Sequence, residues 1–160
     1  MRISAKSEYG VRAMVRLARQ FGEGPVPLSQ VAEREKISVD FLEQLMLLLR
    51  RQGLVHSARG IRGGYLLALP PGRISVGDVM RAVEGPMVNM PCLDRGEGDD
   101  PCCSMGIHVA ACATRDVWAL LQDKITQTLD SVSLADLCQD QPLMPLHQPA
   151  LLREPSLLAQ

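Results

Sequence analysis

Two short apolar runs, Leu54–Ala58 and Tyr65–Leu69, flank the turn Arg59-Gly60-Ile61-Arg62-Gly63-Gly64, which holds three glycines in six residues. Runs of this length around a glycine-rich break read as a β-hairpin, because glycine enters positive φ without steric cost. The hairpin follows directly on a helical period that ends at Gly53, where a left-handed residue suits a helix terminus. Any fold for this chain must therefore carry a small hairpin hung on a helix. Aromatic residues make up 3% of the chain against 46% hydrophobic residues in all. The remaining core must come from Leu, Val, Ile, Met and Ala, a set that favours helices over sandwiches. A mainly α fold with one small β-hairpin is expected, and 160 residues suffice for one compact domain plus an extra element.

Upstream of the hairpin, Tyr9, Ala13, Met14, Leu17, Ala18 and Phe21 recur at helical spacing between Ser4 and Phe21, with Lys6, Arg12, Arg16 and Arg19 toward the other side. Gly22-Glu23-Gly24-Pro25 ends that helix, and a short second helix runs from Leu28 to about Lys36. Ser38 or Asp40 can cap a third helix from about Val39 to Gln52. Beyond the hairpin, Pro70-Pro71-Gly72 breaks the strand and Ser75–Val83 forms another short helix.

The composition changes at Gly85-Pro86. Residues 1–85 hold 13 Lys or Arg against 8 Asp or Glu, whereas residues 86–160 hold 4 against 10. Four of the five cysteines crowd into residues 92–112, an arrangement suited to a metal or redox site rather than to a secreted disulfide scaffold. The expected organisation is a basic unit over 1–85, a cysteine-bearing loop over 86–106, a long helix and short terminal helix over 107–139, and a mobile tail over 140–160. The long helix, read from Ile107 to Val132, would span about 39 Å. Its stripe of Val109, Ala113, Val117, Leu120, Leu121, Ile125 and Leu129 would overhang the small domain and pack on the same helix of a second subunit. No signal peptide opens the chain and no apolar run is long enough to span a bilayer, so a cytoplasmic protein without a membrane partner is expected.

Helix, turn, helix and glycine-rich hairpin in that order describe a winged helix-turn-helix, whose second short helix enters the major groove of DNA. The basic first half agrees with such a partner. Asp40, Glu43 and Gln44 lie near the start of the third helix, where base edges are met, and Arg50 and Arg51 near its end, where phosphates are met. Arg59 and Arg62 bracket the glycines of the wing tip. The plainer reading is a solvated helix end and an ordinary hairpin. Glu43 can accept from cytosine N4 or pair with an arginine. The run Leu47-Leu48-Leu49 departs from expectation, which calls for at least one polar position there.

Several segments carry a more specific likeness: Ile37-Ser38-Val39-Asp40-Phe41-Leu42-Glu43-Gln44-Leu45, Gly53-Leu54-Val55, the stretch Arg59 to Leu67, and Ser133-Leu134-Ala135-Asp136-Leu137. In these the chain resembles the Rrf2 (Rrf-two) family of regulators over about residues 1–139. The resemblance implies a homodimer on a palindromic DNA operator, with DNA-contact positions matching Ser38, Asp40, Phe41, Glu43 and Arg59. It also makes the cysteine-bearing loop look like the family's iron-sulfur cluster loop.

Thiolates hold soft metals and iron-sulfur clusters, yet the spacing of Cys92, Cys102, Cys103 and Cys112 is loose. Side chains on consecutive residues diverge, so Cys92, Cys103 and Cys112 are favoured as ligands, with Cys102 as a substitute. For the fourth ligand, some family members use a histidine three residues after the last cysteine, where this chain has Arg115, which cannot accept. Others recruit an acidic residue near the start of the first helix of the partner chain, and Glu8 occupies that region. His108, four residues before Cys112, is the local alternative. Both 2Fe-2S and 4Fe-4S clusters remain open. Cys138 reads as packing. The competing readings are a cofactor-free repressor gated by thiol oxidation or by a partner enzyme, structural zinc, and an iron-sulfur electron carrier. An enzyme is not expected, since no Ser-His-Asp set, phosphate loop or paired carboxylates occur.

Overall fold

The computed structural model describes residues 3–60, 63–87, 93, 112 and 114–139. Helix α1 spans Ala5–Arg19 and buries Ser7, Gly10, Ala13, Met14, Leu17 and Ala18, the i, i+3, i+4 stripe of an amphipathic helix. Ser4 caps it, its Oγ accepting from the Ser7 N–H at 3.2 Å. Phe21 lies past the helix end and is exposed, so it is not part of the stripe. Helix α2 spans Leu28–Glu35, and Lys36 terminates it in the left-handed region at φ 56°. Helix α3 spans Val39–Arg51. Of the two candidate caps it uses Ser38, whose Oγ accepts from the Phe41 N–H at 3.4 Å, and Gly53 leaves it at φ 71°.

Strands β1, Val55–Ala58, and β2, Gly64–Leu67, pair antiparallel with Val55 opposite Leu67 and Ala58 opposite Gly64. The hairpin is pinned to the body by Val26 and Tyr65, which exchange both backbone hydrogen bonds at 2.9 Å. That approach requires Gly64, where a Cβ would overlap the Val26 carbonyl. A 3₁₀ turn over Pro71–Arg73 leads to α4, Val76–Glu84, which opens with a full capping box between Ser75 and Asp78. Helix α4 lies close against α1 at Gly10, where a Cβ would meet Val83 at 3.4 Å.

The long helix is shorter than its period implied. As α5 it spans Arg115–Asp130, about 24 Å, whereas expectation began at Ile107. Cys112 lies outside the helix, and its carbonyl accepts from the Arg115 N–H at 3.1 Å in the turn that leads into α5. Val109 and Ala113 of the expected stripe lie outside the described residues. The short α6, Leu134–Leu137, has its own capping box between Ser133 and Asp136.

Met14, Leu17, Leu42, Leu45, Met46, Leu49, Ile74 and Leu134 are among the largest fully buried side chains, each worth about 1.5–3 kcal/mol of transfer free energy. Leu134 belongs to this set because the chain returns after α5: Val76 donates to the Val132 carbonyl at 2.8 Å and Leu134 to that of Ile74 at 2.9 Å. The α5–α6 segment is thereby fixed to the core of the first unit. Among the described residues no helix is long and apolar enough to cross a membrane.

Candidate nucleic-acid interface

One face of α3 packs into the core through Leu42, Leu45, Met46 and Leu49. The opposite face carries Asp40, Glu43, Gln44, Leu47, Arg50 and Arg51, all exposed. These recur at i, i+3, i+4 and i+7, so they form one strip along the helix. Ser38 heads the strip; its Oγ accepts the cap hydrogen bond, and its O–H is left to donate outward. Phe41 is half-buried and meets Tyr9 edge-on, with ring centroids 5.8 Å apart at 88°. It therefore sets the helix against α1 from beside the exposed strip. The leucine run separates into three environments: Leu49 fully buried, Leu48 half-buried on the core, and Leu47 39% exposed.

The arginines divide into two groups. Arg12 and Arg16 converge on Glu35: Arg12 Nε donates to Oε2 at 3.1 Å and Arg16 Nη2 to Oε1 at 3.0 Å. Arg12 Nη2 also donates to the Glu35 backbone carbonyl at 2.6 Å. Glu35 keeps only 14% of its side chain exposed, so these guanidinium groups clamp α1 to the end of α2 and are not spare cations. Arg12 also lies 5.6 Å from the Tyr9 ring centroid. One continuous chain of contacts thus joins Glu35, Arg12, Tyr9 and Phe41 across three helices. Arg81 is likewise held by Asp78 and Asp130.

Outside these clamps stand the residues of α3 and the wing. Arg50 reaches the Ser57 hydroxyl at 3.5 Å, linking the helix end to β1. Arg51 and Arg59 are exposed and form no ion pair among the described residues. Arg12, Arg16 and Arg81 are therefore structural cations, whereas Arg50, Arg51 and Arg59 stand at the end of α3 and at the wing outside any ion pair among the described residues. Arg62 lies outside the described residues. An exposed helix strip with spare arginines at one end, beside a hairpin tipped by another, is suited to a groove and its flanking phosphates.

The family model described as "Iron-dependent Transcriptional regulator", Rrf2, matches residues 3–140. This chain belongs to the Rrf2 family. Among its relatives, the transcriptional regulator CymR of Bacillus subtilis is 39% identical over 137 residues, covering 86% of this chain and 89% of the relative. The regulator IscR of Xenorhabdus nematophila is 41% identical over 144 residues, covering 90% and 83%. The solved structure of B. subtilis CymR, described as the global cysteine regulator, superposes with a TM-score of 0.67 at 36% identity, covering 89% of this chain and 99% of that one. T. potens IscR superposes equally well, TM-score 0.67 at 39% identity, covering 91% and 93%. The Rrf2 chain is thus a DNA-binding transcription regulator with a winged-helix fold, and its relatives are regulators rather than enzymes.

Of the proposed sulfur ligands in this Rrf2 regulator, Cys112 is described. Its thiol pKa is lowered, first by the Thr114 hydroxyl 3.5 Å away, then by the Thr114 backbone, the Arg115 backbone and the Arg115 charge. Such surroundings favour a thiolate, the form that binds soft metals and reacts. Cys92, Cys102, Cys103 and His108 lie outside the described residues. Glu8 is 60% exposed on α1, with Arg12 3.6 Å away, leaving a carboxylate open to a second partner. Burial pushes the Cys138 thiol up, as suits a packing residue. On α5, Val117, Leu120 and Leu121 are 58%, 59% and 43% exposed. The same stripe continues through Ile125 and Leu129 into a cavity of about 600 Å³ shared with Ser7, Met80 and Glu84.

Proposed function

We propose that this Rrf2 regulator is a cytoplasmic homodimer on a palindromic operator that senses redox, iron or nitric oxide status through an iron-sulfur cluster. In each half-site α3 enters the major groove. Glu43 and Gln44 meet base edges there, with Asp40 beside them, and Arg50, Arg51, Arg59 and Arg62 meet phosphates or the adjoining groove. Ser38 and Phe41 complete the set of DNA contacts, Ser38 from the cap of α3 and Phe41 from beside the exposed strip. An acid facing DNA weakens nonspecific binding, so Glu43 serves discrimination. The exposed apolar stripe of α5 supports the dimer, because three large aliphatic side chains in a row are otherwise left in water.

The observation that carries the sensing role is the placement of Cys112 at the turn into α5, its Sγ 3.5 Å from the Thr114 hydroxyl and its carbonyl bonded to the Arg115 N–H. Cys92, Cys103 and Cys112 hold the cluster, with Glu8 of the other subunit as a weak oxygen ligand. Thiolates fit iron, and the carboxylate is easily displaced, as a sensor requires. When bound, the group supplies redox and ligand-exchange chemistry beside the dimer helix. The test is iron and sulfide analysis with an absorption spectrum on protein purified without oxygen. About one cluster per chain is expected, abolished in Cys112→Ala and labile in Glu8→Ala; colourless, iron-free protein overturns the proposal.

The likeness to CymR, a cysteine regulator, favours a second reading. In it the same thiols gate the repressor without a cofactor. Colourless protein that binds its operator fully, and loses it on mild oxidation, is the outcome that reading expects.

A further inference from the structure

Leu47 is the apolar member of an otherwise polar strip. At about 100° per residue it lies about 20° around α3 from Asp40 and about 40° from Glu43. It sits one turn beyond Glu43 and one turn before Arg50 and Arg51. It remains 39% exposed while Met46 and Leu49 fill the core completely, so the core does not require a leucine there. A leucine neither donates nor accepts a hydrogen bond and cannot read the polar code of base edges. What it can contact in the major groove is the thymine 5-methyl group, the apolar feature of that groove.

We propose that Leu47 is a specificity-determining residue that selects thymine at one position of each operator half-site by packing on its 5-methyl group. This rests on the reading of α3 as the recognition helix. Displacing water from one methyl and the leucine face that covers it corresponds to roughly a four-fold change in affinity.

Replacing thymine by deoxyuracil removes the methyl and leaves pairing intact. An operator is first selected by the full-length protein from a randomised duplex pool, and each thymine is then replaced singly by deoxyuracil and titrated at fixed salt. Wild-type protein is expected to lose roughly four-fold at one thymine per half-site. Leu47→Ala is expected to bind the thymine and uracil operators equally at that position, and Leu47→Met to retain the difference. Helical circular dichroism of both variants guards against misfolding. A uniform response to uracil at every position, or a thymine-to-uracil ratio unchanged in Leu47→Ala, overturns the role of Leu47 while leaving the α3 interface standing. A pool from which no sequence is enriched overturns both.

Discussion

Arg81 Nη2 lies 2.8 Å from Asp130 Oδ1 and at the same distance from Asp78 Oδ1, so one guanidinium joins both ends of α4 to the last turn of α5. The Asp130 carboxylate rests over Gly77, where a Cβ would overlap it. The strongest influence raising the Arg81 pKa is its hydrogen bond to Asp130, ahead of that to Asp78. Both partners are partly exposed, so the pair is worth about 0.2–1 kcal/mol. Asp130→Asn and Arg81→Ala should each destabilise by about that much in urea titrations, and the double variant by less than their sum. Gly77→Ala should erase the coupling by displacing Asp130. Full additivity in the cycle would show that the two helices are joined by packing alone.

The division of the arginines into clamps and spare cations predicts opposite phenotypes. Arg59→Ala should cost about 1–3 kcal/mol of operator affinity with no change in melting temperature. Arg16→Ala should leave a part-buried Glu35 short of a partner and cost about 1 kcal/mol of stability, with operator affinity per folded protein preserved. Thermal melts alongside DNA titrations separate the two. A lowered melting temperature in Arg59→Ala would contradict the assignment.

How much of this was legible beforehand depends on the range of the interaction. Helix α3, its Ser38 cap, Gly53 and the wing are written in local period and turn chemistry, and they appear within a residue or two of expectation. The start of α5 was not legible, because the apolar stripe runs on through Val109 and Ala113 in sequence while Cys112 lies outside the helix, in the turn that leads into it. Pairings between elements were equally hidden. Arg12 and Arg16 sit on the polar side of α1 in any helical projection, and only tertiary packing brings Glu35 to them. The leucine run at 47–49 looked anomalous in sequence and resolves once each residue has its own depth.

Acid should unfold the protein through its helix caps. Burial works to raise the Asp78 pKa, but hydrogen bonds from the Ser75 backbone and hydroxyl and from Arg81 outweigh it and hold the carboxyl below its usual value. The Ser133 hydroxyl and backbone hold Asp136 low in the same way. A depressed folded value means the stabilisation is complete above the unfolded carboxyl pKa, about 4, and is lost as pH falls through the folded values. The urea midpoint at fixed protein concentration should therefore drop below about pH 4, and the drop should be shallower in Asp78→Ala. An identical slope in that variant would remove Asp78 from the account.

Thr114 should control the reactivity of Cys112. Because the Thr114 hydroxyl is the first cause of the lowered thiol pKa, Thr114→Val should raise it, shifting the pH profile of alkylation upward. The rate is read on the Cys112 peptide by mass spectrometry, with Cys138, raised by burial, as a slow internal standard. Unchanged profiles in Thr114→Val would show that the helix start alone activates the thiol.

The operator affinity of one protein preparation, divided into anaerobically reconstituted and cluster-free halves, tests the sensing account most directly. A cluster beside the dimer helix should alter the relative placement of the two copies of α3, whose half-sites lie about 34–36 Å apart or a multiple of it. The two halves should differ by about 1–3 kcal/mol in binding the same duplex, a typical allosteric coupling, and Cys112→Ala should behave as cluster-free protein after either treatment. Equal affinities for the two halves, or a full cluster in Cys112→Ala, would contradict it.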